Sequence, residues 1–364
     1  MEKFPKTEHG IINRAQGMYG YKGWPTVTKD GGGRLYAVCS DYRMHHICPF
    51  GKTGMYISDD EGKTWSPPII INDTALDDRD AGILPVGGKK LLMTWFTHPA
   101  ELFAKSYGAY IKNDCSPDEA LIALAQMASW KNLPEAEAKG GSYIRLSDDG
   151  GMTWGETIRV PVSAPHGPNI LKDGSLIYLG KEVYSYGAEK PGAVAAYESK
   201  DSGLTWSRLC EIGVPEGFTL DNFHEPHVAE MPDGTLLGVI RAQGSPSYRG
   251  FTVFKCFSYD KGHTWTTPES LDVCGSPPHL LVHSSGAVIC VFGRRETPYG
   301  ERAAVSYDNG KTWPDEYVLF SGAPDGDLGY PSSVELADGS ILTVYYQKYE
   351  NDSKCSLMYT KWRL

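Results

Sequence analysis

Three kinds of side chain in this sequence could do chemistry together if folding gathered them. Carboxylates and imidazoles can move protons: Glu225, the acidic run Asp77-Asp78-Arg79-Asp80, and the adjacent His45 and His46. Guanidinium groups can grip an oxyanion through paired, charge-assisted hydrogen bonds, and Arg43, Arg79, Arg241, Arg294 and Arg302 are available for that. The hydroxyl of Tyr330 can attack an electrophilic carbon if a neighbouring base takes its proton. These residues come from separate segments spread along the chain, so they matter only if the fold brings their segments to one place.

The composition limits which folds could do so. The chain has 364 residues, a formal net charge of -10, 41 Gly, 24 Pro, 22 Tyr and 9 Trp, and short Val/Ile/Leu runs that favour strands. The negative charge argues against nucleic acid, which requires a basic face. The eight cysteines are scattered without a C-x-x-C pair, so neither metal nor dithiol chemistry is expected, and no cofactor is called for. "MEKFPKTEHG" lacks the basic-then-apolar pattern of a signal peptide, and no apolar run is long enough to span a bilayer. As written the chain reads as cytoplasmic, or as secreted or periplasmic if a signal segment has been removed.

The positioning elements are legible as repeats. S-x-D-x-G-x-T-W occurs five times, at 58–65, 147–154, 199–206, 258–265 and 306–313. Its Asp suits a tight turn by accepting backbone N–H groups, its Gly supplies positive φ, and its Trp can pin the turn to a sheet. A hairpin pattern interleaves with it in six copies, at 24–38, 81–95, 167–179, 226–240, 278–292 and 330–345. Hairpin, third strand, box turn and fourth strand make one blade, and six such units predict an all-β, six-bladed β-propeller of four-stranded antiparallel blades spanning 1–364 as one domain. The last unit lacks a box, so the N-terminal "EHGIINRA" (8–15) is expected to supply its outer strand and close the ring.

One insertion breaks the rhythm. The first two boxes start 89 residues apart and the others 48 to 59 apart, and the excess, about 99–141, contains the helical "SPDEALIALAQMASW" with Ser116 as cap. It falls between the second and third strands of blade 2, on the face opposite the boxes, where it would rim the channel mouth or simply extend the packing. On that face the inner strands begin at Gly23–Trp24, Asp77–Asp80, His166, Glu225 with His227, His279 and Tyr330. The second strands end there at Arg43 with His45 and His46, Trp95 with His98, Glu182, Arg241, Arg294 with Arg295, and Gln347. A propeller axis is the expected place for a ligand.

With these motifs the chain resembles the sialidases and their Asp-box relatives over nearly its whole length. The resemblance implies an exo-α-sialidase, a retaining glycoside hydrolase that releases terminal sialic acid from glycans. "EPHVAEMPDGTLLGVIR" carries the family's Glu and Arg onto Glu225 and Arg241, "YPSSVELADGSI" puts the nucleophilic Tyr at Tyr330, and "ERAAVSYDNGKTW" puts a further carboxylate-binding Arg at Arg302, with Arg294 as its rival. Arg43 in "SDYRMHH" matches an Arg that contacts the sugar ring, and His227 joins the substrate-binding set. A Tyr nucleophile makes sense for a sugar bearing a carboxylate on its anomeric carbon, because an anionic nucleophile would be repelled. Two departures stand out. Gly23 in "KGWP" occupies the position of the family's first Arg, and the loop 44–52 lacks the acid/base Asp. Asp78 or Asp80, or else His45 or His46, could supply the acid/base, and Arg79 or Arg43 the missing cation. Other readings are a propeller hydrolase or lyase on another terminal sugar, such as rhamnose or a uronic acid, using His45 or His46, and a glycan-binding propeller without turnover.

Overall fold

A computed structural model of the protein describes residues 1–183, 189–244 and 250–364. Six sheets, each with four antiparallel strands at its heart, follow one another along the chain, and in the first five those four strands run in sequence order from inner to outer. Blade 1 runs Tyr21–Lys29, Leu35–Arg43, Lys52–Ser58 and Ile69–Asn72; blade 4 runs Phe223–Glu230, Leu236–Gln243, Phe251–Ser258 and Glu269–Ser270. In blade 6, Gly329–Glu335, Ile341–Lys348 and Cys355–Trp362 are completed by Glu8–Asn13, which pairs antiparallel with Cys355–Trp362 and closes the ring as expected. The sequence pattern did not foretell a further strand, Glu2–Lys3, which adds in parallel to the outer strand of blade 5, Asp315–Ser321. Together these two N-terminal segments cover edges that would otherwise be open to pairing with another chain.

The core lies between adjacent blades. Leu92, Ile144, Val160 and Leu176, for example, are buried where blades 2 and 3 face each other. The box turns fasten these sheets from the face opposite the inner-strand entries. In the first box Ser58 Oγ accepts from Gly62 N at 2.9 Å, Asp60 accepts from the Thr64 backbone and hydroxyl at 2.9 and 2.6 Å, and Trp65 Nε1 donates to Gly62 O at 3.1 Å. The other four boxes repeat this arrangement. The box Gly is left-handed each time, φ 81 at Gly62, which a side chain would resist.

The insertion lies within blade 2, between Lys90–Thr97 and Gly141–Ser147. It forms α1 (Ala100–Asp114), α2 (Pro117–Ser129) and a short α3 (Glu135–Ala138). Ser116 and Glu119 make a reciprocal capping box at the start of α2. Glu119 also bonds His45 Nε2 at 2.9 Å and Lys354 at 3.2 Å, while Gln126 and Trp130 both donate to Ala75 O at 2.8 Å. The helices are therefore tied to loops of blades 1, 2 and 6 and rim the entry face.

Candidate active site

Four inner strands begin with the same local device. Trp24, Asp80, Glu225 and Tyr330 sit in the left-handed region, at φ 54, 53, 45 and 50. Each lies where the pairing of the inner strand with its neighbour jumps register. Such a bulge re-aims the side chain out of the sheet, and Pro25, Pro226 and Pro331 restrict the residue before them, keeping it out of the right-handed helical region. A non-glycine residue pays about 1–2 kcal/mol for that conformation. Gly167 occupies the corresponding place in blade 3 at φ 71, so the fold accepts glycine there. The strain at the other four places marks side chains held for what they present at the axis.

Three of them meet directly or electrostatically. Tyr330 OH donates to Glu225 Oε1 at 2.5 Å, and Arg241 Nη1 donates to Glu225 Oε2 and, at 3.2 Å, to the Tyr330 oxygen. Burial alone would disfavour ionised Glu225, but Arg241 and the hydrogen bond from Tyr330 outweigh it and hold the carboxyl below its usual range. Burial and the Glu225 charge push the Tyr330 hydroxyl well above the usual phenol range, against the pull of Arg241 and Arg295. In the resting site Tyr330 is a neutral phenol whose proton already points at an ionised base.

Asp80 faces this group with the opposite tuning. Burial raises its carboxyl to about 7, with Arg79 opposing and the Glu225 charge adding to the rise. Two carboxylates on one rim thus have different protonation at neutral pH, the pattern that separates a base from an acid. Asp78, by contrast, is fully buried and spends its oxygens on Thr74, accepting from N at 3.0 Å and from Oγ1 at 2.8 Å; burial raises it to about 7 as well, but it fastens a loop.

The arginines divide sharply. Arg241 is oriented by Gln243, which accepts from its Nε at 2.9 Å. Arg295 lies 5.3 Å from the Tyr330 ring centre and donates to Leu328 O at 2.9 Å and to Tyr346 OH at 3.3 Å. Both guanidiniums also lie near the Phe251 ring, at 4.9 and 5.6 Å, which helps two like charges stand side by side. Arg302 points elsewhere: it donates to Glu301 O at 3.0 Å and to Phe320 O at 2.5 Å, and has Glu316 at 3.7 Å. Arg294 lies on that same side, within electrostatic reach of Arg302 and Glu316. Arg295, which sequence reasoning set aside in favour of its neighbours, is the one beside Tyr330.

Arg43 and Arg79 both lie against the Trp24 indole, at 4.6 and 3.8 Å from its ring centre. Arg43 is fully buried and saturated: it grips Asp77 through both terminal nitrogens and donates to Ser40 and to the His45 and His46 carbonyls. It braces the site from behind. Arg79 donates more weakly, to Asp77 at 3.3 Å and His46 O at 3.2 Å, and feels the charges of Asp77 and Asp80. His46 joins Asp327 at 3.0 Å and Tyr21 at 3.1 Å, and His45 joins Glu119 on the rim. His227 sits two residues along the strand from Glu225, in a group of three imidazoles on the axis beneath the cluster. Among the described residues no His/Cys/Asp/Glu group is arranged to hold a metal ion, and no helix is long and apolar enough to cross a membrane.

Comparison with known proteins places the chain in a family and a fold. Residues 110–343 match the BNR repeat-like domain and residues 56–67 the BNR/Asp-box repeat, and the chain belongs to the BNR repeat-like domain family. A sialidase from Bacteroides fragilis is 25% identical over 247 residues, which cover 61% of this chain; the match spans 42% of that protein, less than half its length. A protein of unknown function from Dyadobacter fermentans has the same fold with TM-score 0.76 at 22% identity, covering 98% of both chains. The NanB sialidase of Streptococcus pneumoniae gives TM-score 0.67 at 16% identity, covering 98% of this chain and 70% of that one. The fold is that of the sialidase-like propellers.

Proposed function

We propose that the protein is an exo-acting, retaining glycoside hydrolase that removes terminal sialic acid or a closely related anionic sugar from glycans. The observation that carries this reading is the hydrogen-bonded set Tyr330–Glu225–Arg241; Asp80 lies within electrostatic reach of it, with its carboxyl raised chiefly by burial. In the first step Glu225 takes the phenolic proton as the Tyr330 oxygen bonds to the anomeric carbon, and Asp80 gives its proton to the departing glycosidic oxygen. In the second, ionised Asp80 takes a proton from water, the water oxygen attacks the anomeric carbon, and Tyr330 leaves and recovers its proton from Glu225. Two displacements give net retention.

Arg241 and Arg295 flank Tyr330 and suit the substrate carboxylate. Arg79, loosely paired and beside Trp24, is the remaining cation near the position where Gly23 stands in place of an arginine. Arg43 has no free donor direction toward the axis. His45 and His46 are engaged with Glu119 and Asp327, so the pattern gives more support to Asp80 as the acid/base. Release of sialic acid from sialyl-lactose, followed by proton NMR of the first-formed anomer, tests the proposal. The α anomer should appear first; β-first release, or no release from any sialoside, would overturn it.

A further inference from the structure

His46 stands beside the proposed catalytic cluster with one ring nitrogen anchored and the other open. Its Nδ1 meets Asp327 Oδ1 at 3.0 Å, the same oxygen accepts from Tyr21 OH at 2.9 Å, and Cys355 Sγ lies 3.5 Å from the other carboxylate oxygen. The His46 carbonyl accepts from Arg43 Nη2 at 2.8 Å and from Arg79 Nη1 at 3.2 Å. The imidazole stands edge-on to the Trp24 indole, with ring centres 5.0 Å apart and planes at 82°, and Trp24 lies 6.3 Å from the Tyr330 ring. His46 belongs to the loop between Leu35–Arg43 and Lys52–Ser58, yet contacts from blades 1, 2 and 6 hold both its backbone and its ring, one indole away from the proposed nucleophile.

The anchoring decides the tautomer. Burial would raise the Asp327 carboxyl, but hydrogen bonds from His46, Tyr21 and Cys355 outweigh it and hold the group at about 2, so it is ionised and only accepts. Tyr21 gives its single proton to Asp327, so His46 Nδ1, facing that carboxylate and 3.1 Å from the Tyr21 oxygen, must carry a proton of its own. Burial depresses the imidazole below its usual value, with the Arg79 and Arg43 charges acting the same way and Asp327 opposing, so the ring is neutral at pH 7. Nε2 is therefore a bare lone pair. It lies on the side of the ring away from Asp327, with no partner among the described residues, and the side chain is 45% exposed. His45 next to it differs, because its Nε2 is taken by Glu119 at 2.9 Å. A positioned lone pair welcomes an O–H donor and repels a carboxylate, an ether oxygen or a fluorine. Arg79, against the same indole at 3.8 Å, has the opposite preference, so two neighbouring groups on one rim sort donors from anions.

We propose that His46 determines specificity in this site: its Nε2 accepts a hydrogen bond from one hydroxyl of the terminal sugar, and Asp327 is the positioning residue that fixes the accepting tautomer. The assignment rests on the reading of the site as one for a terminal anionic sugar. The test uses the full chain and a panel of umbelliferyl sialosides in which each hydroxyl of the sialic acid is in turn replaced by fluorine, which cannot donate; kcat/KM is measured for each, and binding of the corresponding free sugars by calorimetry. The native protein should handle one member about tenfold or more worse than the parent, the cost of facing a lone pair with no donor. In His46→Phe that discrimination should shrink to within about twofold, because the parent loses the same bond. Asp327→Asn, whose amide can donate to Nδ1 and so move the ring proton to Nε2, should also lose most of the discrimination, and it carries the test if His46→Phe fails to fold. A protein that cleaves the parent but treats every member alike, or a selective loss that persists in both variants, would overturn the His46 assignment alone. Neither cleavage nor binding of the parent would overturn the sialidase reading and this assignment with it.

Discussion

Replacing Asp80 by Asn keeps the side-chain size and adds no strain at the left-handed backbone, φ 53, since Asn and Asp enter that region equally readily. What it removes is the transferable proton. With the carboxyl at about 7, roughly nine-tenths of Asp80 is protonated at pH 6 and about one-tenth at pH 8, so kcat/KM of the native protein should fall about tenfold per unit above pH 7. Asp80→Asn should lower kcat/KM on sialyl-lactose by about 10²–10⁴-fold, the usual worth of a placed general acid. On an umbelliferyl sialoside, whose leaving group departs without a proton, the loss should be less than about tenfold, and the alkaline limb should disappear. The assay is initial-rate hydrolysis of both substrates from pH 4.5 to 9. Equal losses on the two substrates, or an alkaline limb that persists in Asp80→Asn, would refute Asp80 as the proton donor.

Other outcomes follow from the same geometry. Tyr330→Phe and Glu225→Gln should each reduce turnover by at least about 10³-fold while a sialic acid analogue still binds, checked by rate assay and calorimetry. Arg295→Ala should weaken binding of that analogue by about 10- to 100-fold, whereas Arg302→Lys should leave it within about twofold, because Arg295 lies beside Tyr330 and Arg302 points away from it. Asp80→Gly should abolish turnover on sialyl-lactose yet stabilise the fold by about 1–2 kcal/mol by relieving the left-handed strain. A buried carboxyl raised from its unfolded value near 4 to about 7 costs stability above pH 4, progressively up to pH 7, so the gain should be larger at pH 8 than at pH 4 in thermal unfolding. Trp265→Ala, in a box turn packed on the blade 3–4 core, should cost on the order of 3 kcal/mol without altering KM.

The repeats made the fold readable because each box and hairpin carries its own turn chemistry, and six of them leave one closed arrangement. Glu225, Arg241 and Tyr330 were legible for a related reason: each begins or ends a strand on one face, where counting from the box locates it. Arg295 was missed because strand alternation is unforgiving of one residue. Arg294 is the last residue of Val288–Arg294 and faces Arg302, and the next residue turns to the axis. The burial of Arg43 behind Trp24 depends on a bidentate contact with Asp77, a pairing between blades 1 and 2 that neither segment announces alone. The left-handed entries at Trp24, Asp80, Glu225 and Tyr330 likewise depend on sheet register, which no local pattern displays.

In the proposed mechanism Tyr330 forms a bond to the anomeric carbon. Incubation with a 3-fluorosialyl fluoride, which slows breakdown of a covalent intermediate, followed by peptide mass spectrometry reads this out directly. A single fluorosialyl adduct should form on Tyr330 and be lost in Tyr330→Phe. An adduct on Glu225, Asp80 or any other residue, or a protein that turns over sialosides with no adduct at all, would contradict it.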